Sequence, residues 1–147
     1  MTQVLFQERQ MVNIKQIKFL ISYFMITMGW AYPWHVIWFH DKYKEWGAIT
    51  REHPVMWMGI SAIIIQGLVI GYLYPFILKQ KDNTIFQAIK FNLIIGLMTY
   101  TAMGFATAAK IQIEPASDFL IFHTIFQFIQ FTLTGTALGF IYRSQTK

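Results

Sequence analysis

Charged residues leave four long gaps along the chain: Phe19 to His40, His53 to Leu78, Phe91 to Ala109 and Phe119 to Tyr142. These gaps run for 22, 26, 19 and 24 residues, and a helix needs about 20 apolar residues to cross the hydrocarbon of a bilayer. Buried helices of soluble proteins are usually shorter, and four such stretches in one chain are not a coincidence. The pattern predicts an all-α polytopic membrane protein, a four-helix transmembrane bundle. One domain covers residues 1–147, with spans at about 19–40, 54–78, 86–109 and 118–142. Composition agrees: 55% of residues are hydrophobic and 13% charged, too apolar for a soluble domain of this length but suited to lipid as solvent.

The distribution of charge orients the spans. Four crossings put both termini on one side, together with the second loop. That side carries Arg9, Lys15, Lys18, Lys79, Lys81, Lys90, Arg143 and Lys147. The opposite side carries only Lys42, Lys44, Arg51 and Lys110 among five acids. Eight basic residues against four place the N- and C-termini in the cytoplasm of a bacterial inner (plasma) membrane. The net charge of +5 is then a topogenic bias rather than a nucleic-acid footprint. The chain has no cysteine, which removes disulfides, thiolate metal sites and thiol catalysis. The first span is too long for the apolar core of a cleavable signal peptide, and Gly29–Trp34 offers no small-x-small site.

The connections are short. The longest, Asp41 to Glu52, alternates in charge and predicts a short interfacial helix ending at Gly47. A tight turn is expected at Lys79–Thr84. In the third loop, Ser117 after Pro115 is a candidate N-cap of the last helix. Gly67 with Gly71, and Gly135 with Gly139, form G-x-x-x-G faces on which helix backbones can approach closely. Such faces hold one bundle together or form a dimer interface. Pro33 and Pro75 predict kinks near the ends of the first two spans.

Candidate chemistry is concentrated in polar residues within the spans. His123, Gln127, Gln130 and Thr134 follow at i, i+4, i+7 and i+11, a single helix face that must point away from lipid. Gln66 lies at a depth similar to Gln130, so one reading is interhelical hydrogen bonding, Gln66 to Gln130 for instance. The other is a polar cavity or conduction path. All four histidines fall toward the non-cytoplasmic side. His35 and His123 lie roughly 8 to 9 Å inside their helix ends at 1.5 Å per residue, while His40 and His53 bracket the loop beside Asp41 and Glu52. These four are the candidate ligands for a metal ion, and two imidazoles at equal depth are also a means of holding haem. Trp30, Trp34, Trp38, Trp46 and Trp57 read first as an interfacial aromatic belt. No H-E-x-x-H, G-x-S-x-G, phosphate loop or intramembrane carboxylate pair is present.

The segments Trp34-His35-Val36-Ile37-Trp38-Phe39-His40-Asp41, Phe122-His123-Thr124-Ile125-Phe126 and Gly135-Thr136-Ala137-Leu138-Gly139 carry a resemblance. On them the chain resembles a family of small bacterial four-span membrane proteins catalogued as a domain of unknown function. The resemblance spans nearly the whole chain and implies the fold rather than an activity. With no catalytic motif and little mass outside the spans, the expected role is non-enzymatic. It is that of an accessory or structural subunit of a larger membrane complex, or of a homo-oligomer. The alternatives are a metal- or haem-binding protein that uses the histidines, and a small-molecule transporter whose path follows the polar stripe.

Overall fold

The computed structural model describes residues 2–49, 51, 53–77 and 84–143, with side chains from Ile14 onward among these. The turn expected at Lys79–Thr84 lies, except for Thr84 itself, outside the described residues, as do Glu52 and the tail beyond Arg143. All regular structure among the described residues is helical. Helix α1 (Thr2–Tyr32) passes through a π-helical turn (Pro33–Trp38) and is followed by the short α2 (His40–Glu45). Helix α3 covers Met56–Ile77. Helix α4 (Ile85–Tyr100) continues through a second π turn (Thr101–Phe105) into α5 (Ala106–Lys110), and α6 covers Ala116–Tyr142.

Three helical stretches among the described residues, Met56–Ile77, Ile85–Lys110 and Ala116–Tyr142, are long and apolar enough to cross a membrane. Helix α1 is not among them. Its first half carries Glu8, Arg9, Lys15 and Lys18, and its apolar half is rich in Tyr and Trp, whose hydropathy is weak. The helical path nevertheless continues from Phe19 to Trp38, about 30 Å at 1.5 Å per residue.

Local chemistry accounts for the breaks. Pro33 has no N–H and crowds the carbonyl one turn back, and the chain answers with the wider π turn. That turn closes with Phe39 N donating to Trp34 O at 3.1 Å. Helix α2 ends as expected at Gly47, whose φ of 77° is the left-handed conformation that favours glycine. Gly47 N donates to Lys44 O at 3.0 Å and Ala48 N to Tyr43 O at 2.9 Å, the paired bonds of a Schellman ending. Helix α6 begins before the expected cap. Pro115, extended at ψ 130°, holds the N-cap position, and Ser117 sits inside the first turn with its hydroxyl on Asp118 Oδ1. Proline supplies a ready non-helical residue whose missing N–H needs no partner.

Both G-x-x-x-G faces are spent within the chain. A Cβ on Gly135 would lie 2.8 Å from Ile89 Cα, and one on Gly139 would lie 2.7 Å from Ile85 Cα. The backbones of α4 and α6 are therefore in direct contact. Asn92, fully buried in that seam, donates through Nδ2 to Phe131 O at 2.8 Å and to Thr134 Oγ1 at 2.7 Å. Gly67 and Gly71 of α3 receive Leu20, Tyr23 and Phe19 of α1. Around these seams Phe19, Tyr23, Ile70, Tyr74, Phe91, Phe131 and Leu138 form a core nearer the chain termini. A second, aromatic core lies at the histidine end, built from Trp34, Tyr43, Trp46, Phe119 and Phe126 with Ile113. Helix α3 leans on α1 and has little contact with α4. The two meet where the Tyr74 and Phe91 ring centroids are 5.4 Å apart.

Candidate functional site

Toward the histidine end, the space between α3 and the α4–α6 pair is a cavity of about 450 Å³. Each long helix contributes. Thr27 and His35 come from α1 and its π turn, and Ala62 and Gln66 from α3. Thr99 and Met103 come from α4 and the second π turn, and His123, Gln127 and Gln130 from α6. Among the described residues no Lys, Arg, Asp or Glu borders it. Both π turns lie at its level. This geometry re-aims side chains by widening the helix locally and is common beside functional sites.

The helical spacing of the polar stripe explains why one face of α6 supplies so much of the lining. His123, Gln127, Gln130 and Thr134 are all buried. The first three face the cavity, while Thr134 is committed to the α4 seam, accepting from Asn92 and donating to Gln130 O at 2.8 Å. The expected Gln66–Gln130 pair is replaced by an intermediary. Tyr23 Oη donates to Gln66 Oε1 at 2.9 Å, and the same hydroxyl faces Gln130. A phenol from α1 reaches between the two amides, which the sequence spacing within α3 and α6 does not reveal.

His123 is packed among aromatic rings. It stacks on Phe119 and on Tyr100, each with centroids 5.6 Å away, at 14° and 23°. Room for it is made by Gly104, where a Cβ would lie 2.9 Å from His123 Cδ2. Gln127 Nε2 lies 3.5 Å from His123 Nε2. The other end of that amide, Oε1, is buried with no hydrogen-bond partner. An unpaired acceptor in such a place costs about 1 to 3 kcal/mol. Thr27 Oγ1 is similarly left without a hydrogen bond; it faces the Tyr23 hydroxyl outside bonding geometry. Gly104→Ala is expected to push the His123 imidazole and cost about 1 to 3 kcal/mol. The check is the His123 ring resonances in a labelled sample, which Gly59→Ala, with open space around Gly59, should leave in place.

His35, carried by the first π turn, packs its ring 4.4 Å from Phe126 and 4.9 Å from Tyr43. It borders the same cavity as His123. The remaining two histidines are elsewhere. His40 pairs with Asp41 at 3.3 Å on the surface, and His53 is exposed in the loop before α3. Among the described residues, no three His, Asp or Glu side chains are grouped so as to hold a metal ion. His35 and His123 thus offer two donors, where a tetrahedral site uses four.

Tyr43, Phe119 and Phe126 border the cavity at this end, and tryptophans pack behind them. Trp34 Nε1 donates to Tyr43 Oη at 3.0 Å, and Trp30 Nε1 to Phe126 O at 3.2 Å. Burial pushes the Tyr43 phenol above its ordinary value, with the Trp34 bond partly opposing the shift, so Tyr43 remains a neutral hydroxyl. Of the five tryptophans expected in a belt, Trp38 and Trp57 are exposed, whereas Trp34 and Trp46 are core residues. Sequence reasoning passed over Tyr23, Thr27 and Thr99. A signal existed for the first two: Tyr23, Thr27, Ala31 and His35 recur every four residues along the first span. Comparison with protein-family models, with curated proteins and with solved structures finds no match to this chain.

Proposed function

We propose that the protein is a non-enzymatic, four-span membrane protein with cytoplasmic termini that binds a small molecule in the cavity between its helices. The observation that carries this reading is the buried, unpaired Oε1 of Gln127. Gln127 borders a cavity where His35, His123, Gln66 and Gln130 are also gathered. Polar groups buried in a helix bundle normally satisfy one another, and in lipid an unpaired one is costlier still. Helices α3 and α6 and the continuous α4–α5 stretch have the length and apolarity to span, and the Phe19–Trp38 path is long enough to supply the fourth crossing. The excess of Lys and Arg on the terminal side supports the orientation. A bacterial inner membrane suits both features.

The accessory-subunit role is compatible with this reading but is not singled out by it. The exposed apolar residues on α3 and α4 are what a bilayer requires of any spanning helix. The test is purification from native membranes in mild detergent, followed by solvent extraction and mass spectrometry. The wild-type protein should release one lipophilic compound in near-stoichiometric amount. Gln127→Leu, with unchanged helical content, should retain less than about a tenth of it, since losing such a bond is worth about 1 to 3 kcal/mol. Identical extracts from both proteins would sink the reading. A larger co-purifying subunit with no extracted compound would favour the accessory role.

A further inference from the structure

The cavity's walls differ in kind. At the histidine end Tyr43 and Phe119, both nearly inaccessible and backed by the Trp34 and Trp46 cluster, close it off. Toward the termini it is closed by the Tyr23–Gln66 hydrogen bond and the buried Phe131 ring. The fourth side is different, because α3 and α4 have little contact and the residues facing each other across the gap are small or flexible. Gly59 and Ala62 on α3 are exposed, Thr99 on α4 is half-buried, and Met103 on the π turn is exposed. Gly59 has nothing within 4 Å of where a Cβ would stand. This rim lies along the middle and histidine-end portions of two helices long and apolar enough to span a membrane, so in a bilayer it faces hydrocarbon rather than water.

We infer that the cavity is loaded sideways from the membrane interior through the α3–α4 gap, and that its occupant is a lipophilic molecule whose head donates a hydrogen bond to Gln127. This rests on the binding role proposed above and deepens it. The chemistry of the head follows from what is unpaired. Gln127 Oε1 is an acceptor without a donor, and the Gln66 oxygen already receives Tyr23. A hydroxyl or N–H on the ligand therefore gains most at Gln127. The body must be uncharged, since among the described residues no charged side chain borders the cavity and a bare ion there would pay a large desolvation penalty. Ile63, Met103, Phe126 and Phe131 supply apolar walls for a ring or short chain.

The experiment uses the whole protein in lipid nanodiscs with radiolabelled 4-octylphenol as probe and octylbenzene, which lacks the hydroxyl, as its match. Empty nanodiscs provide the partitioning background. Octylphenol is expected to bind on the order of tenfold more tightly than octylbenzene, and Gln127→Leu should erase the difference while both probes still bind. Ala62→Trp, which thickens the rim, should slow association roughly tenfold, equal to about 1.4 kcal/mol of added barrier. A Gln127→Leu protein that still prefers octylphenol tenfold would overturn the assignment of the head group. An unchanged association rate in Ala62→Trp, with binding intact, would overturn the lateral route but leave the binding role standing. If neither probe binds wild-type protein above background, and extraction also yields no compound, the binding role itself falls and this inference with it.

Discussion

Gly139→Val should be the most damaging single substitution in α6, destabilising the protein by on the order of 3 kcal/mol or more. The reason is what the new side chain would strike. At Gly139 the obstacle is the Ile85 Cα, 2.7 Å from an ideal Cβ, with the Ala88 Cβ at 3.2 Å. A flexible side chain can move aside, but here the helices themselves must separate. Separation would also stretch the buried Asn92 bonds to Phe131 O and Thr134. Gly29→Ala provides the contrasting case, since nothing lies within 4 Å of its Cβ position. There alanine should be neutral or stabilising by about 0.5 to 1 kcal/mol, because glycine is the poorer helix former. Reversible unfolding in mixed micelles, followed by circular dichroism, reads both. If Gly139→Val were no worse than Gly29→Ala, the close α4–α6 seam would be wrong.

Trp34→Ala is expected to cost about 3 to 5 kcal/mol and to loosen the packing behind Tyr43 at the cavity wall. Its indole packs against Phe39 at 4.6 Å, Trp30 at 5.3 Å and Phe126 at 5.9 Å, and its Nε1 donates to Tyr43. Trp34→Phe keeps most of the ring contacts and removes only the donor, so about 1 to 2 kcal/mol should be lost. Trp38, one helical turn further on and 58% exposed, should tolerate alanine within about 0.5 kcal/mol. Thermal unfolding of the three variants, with protease sensitivity of the 40–55 segment as a second readout, decides between core and belt. Equal losses at positions 34 and 38 would return Trp34 to the role of an interfacial anchor.

That distinction marks where sequence reasoning stops. Charge-free length reveals helices at α3, α4–α5 and α6, because lipid demands it of every spanning segment. The i, i+4, i+7 spacing of His123, Gln127 and Gln130 reveals a shared face, because helix geometry is fixed. The Gly47 ending of α2 is likewise legible from residue type alone. The partners of those faces are not legible. Whether Gln66 meets Gln130 or Tyr23 depends on how α1 crosses α3, which small differences in packing decide. The two π turns escape the pattern as well: Pro33 announces a disturbance but not its form, and Thr101–Phe105 has no proline to announce it. Gly104 reads in sequence as one of several small residues suited to helix packing. Only its place against the His123 ring shows that it makes room for an imidazole.

Among the described residues no Lys, Arg, Asp or Glu lines the cavity, and this has an electrical consequence. A transmembrane voltage does work on charge, about 2.3 kcal/mol per elementary charge for each 100 mV. Histidines aside, the described lining carries no charged side chain for the field to pull on, and an uncharged occupant brings nothing with it. Occupancy should therefore be the same in energised and de-energised membranes, following the concentration of the compound in the lipid rather than the voltage across it.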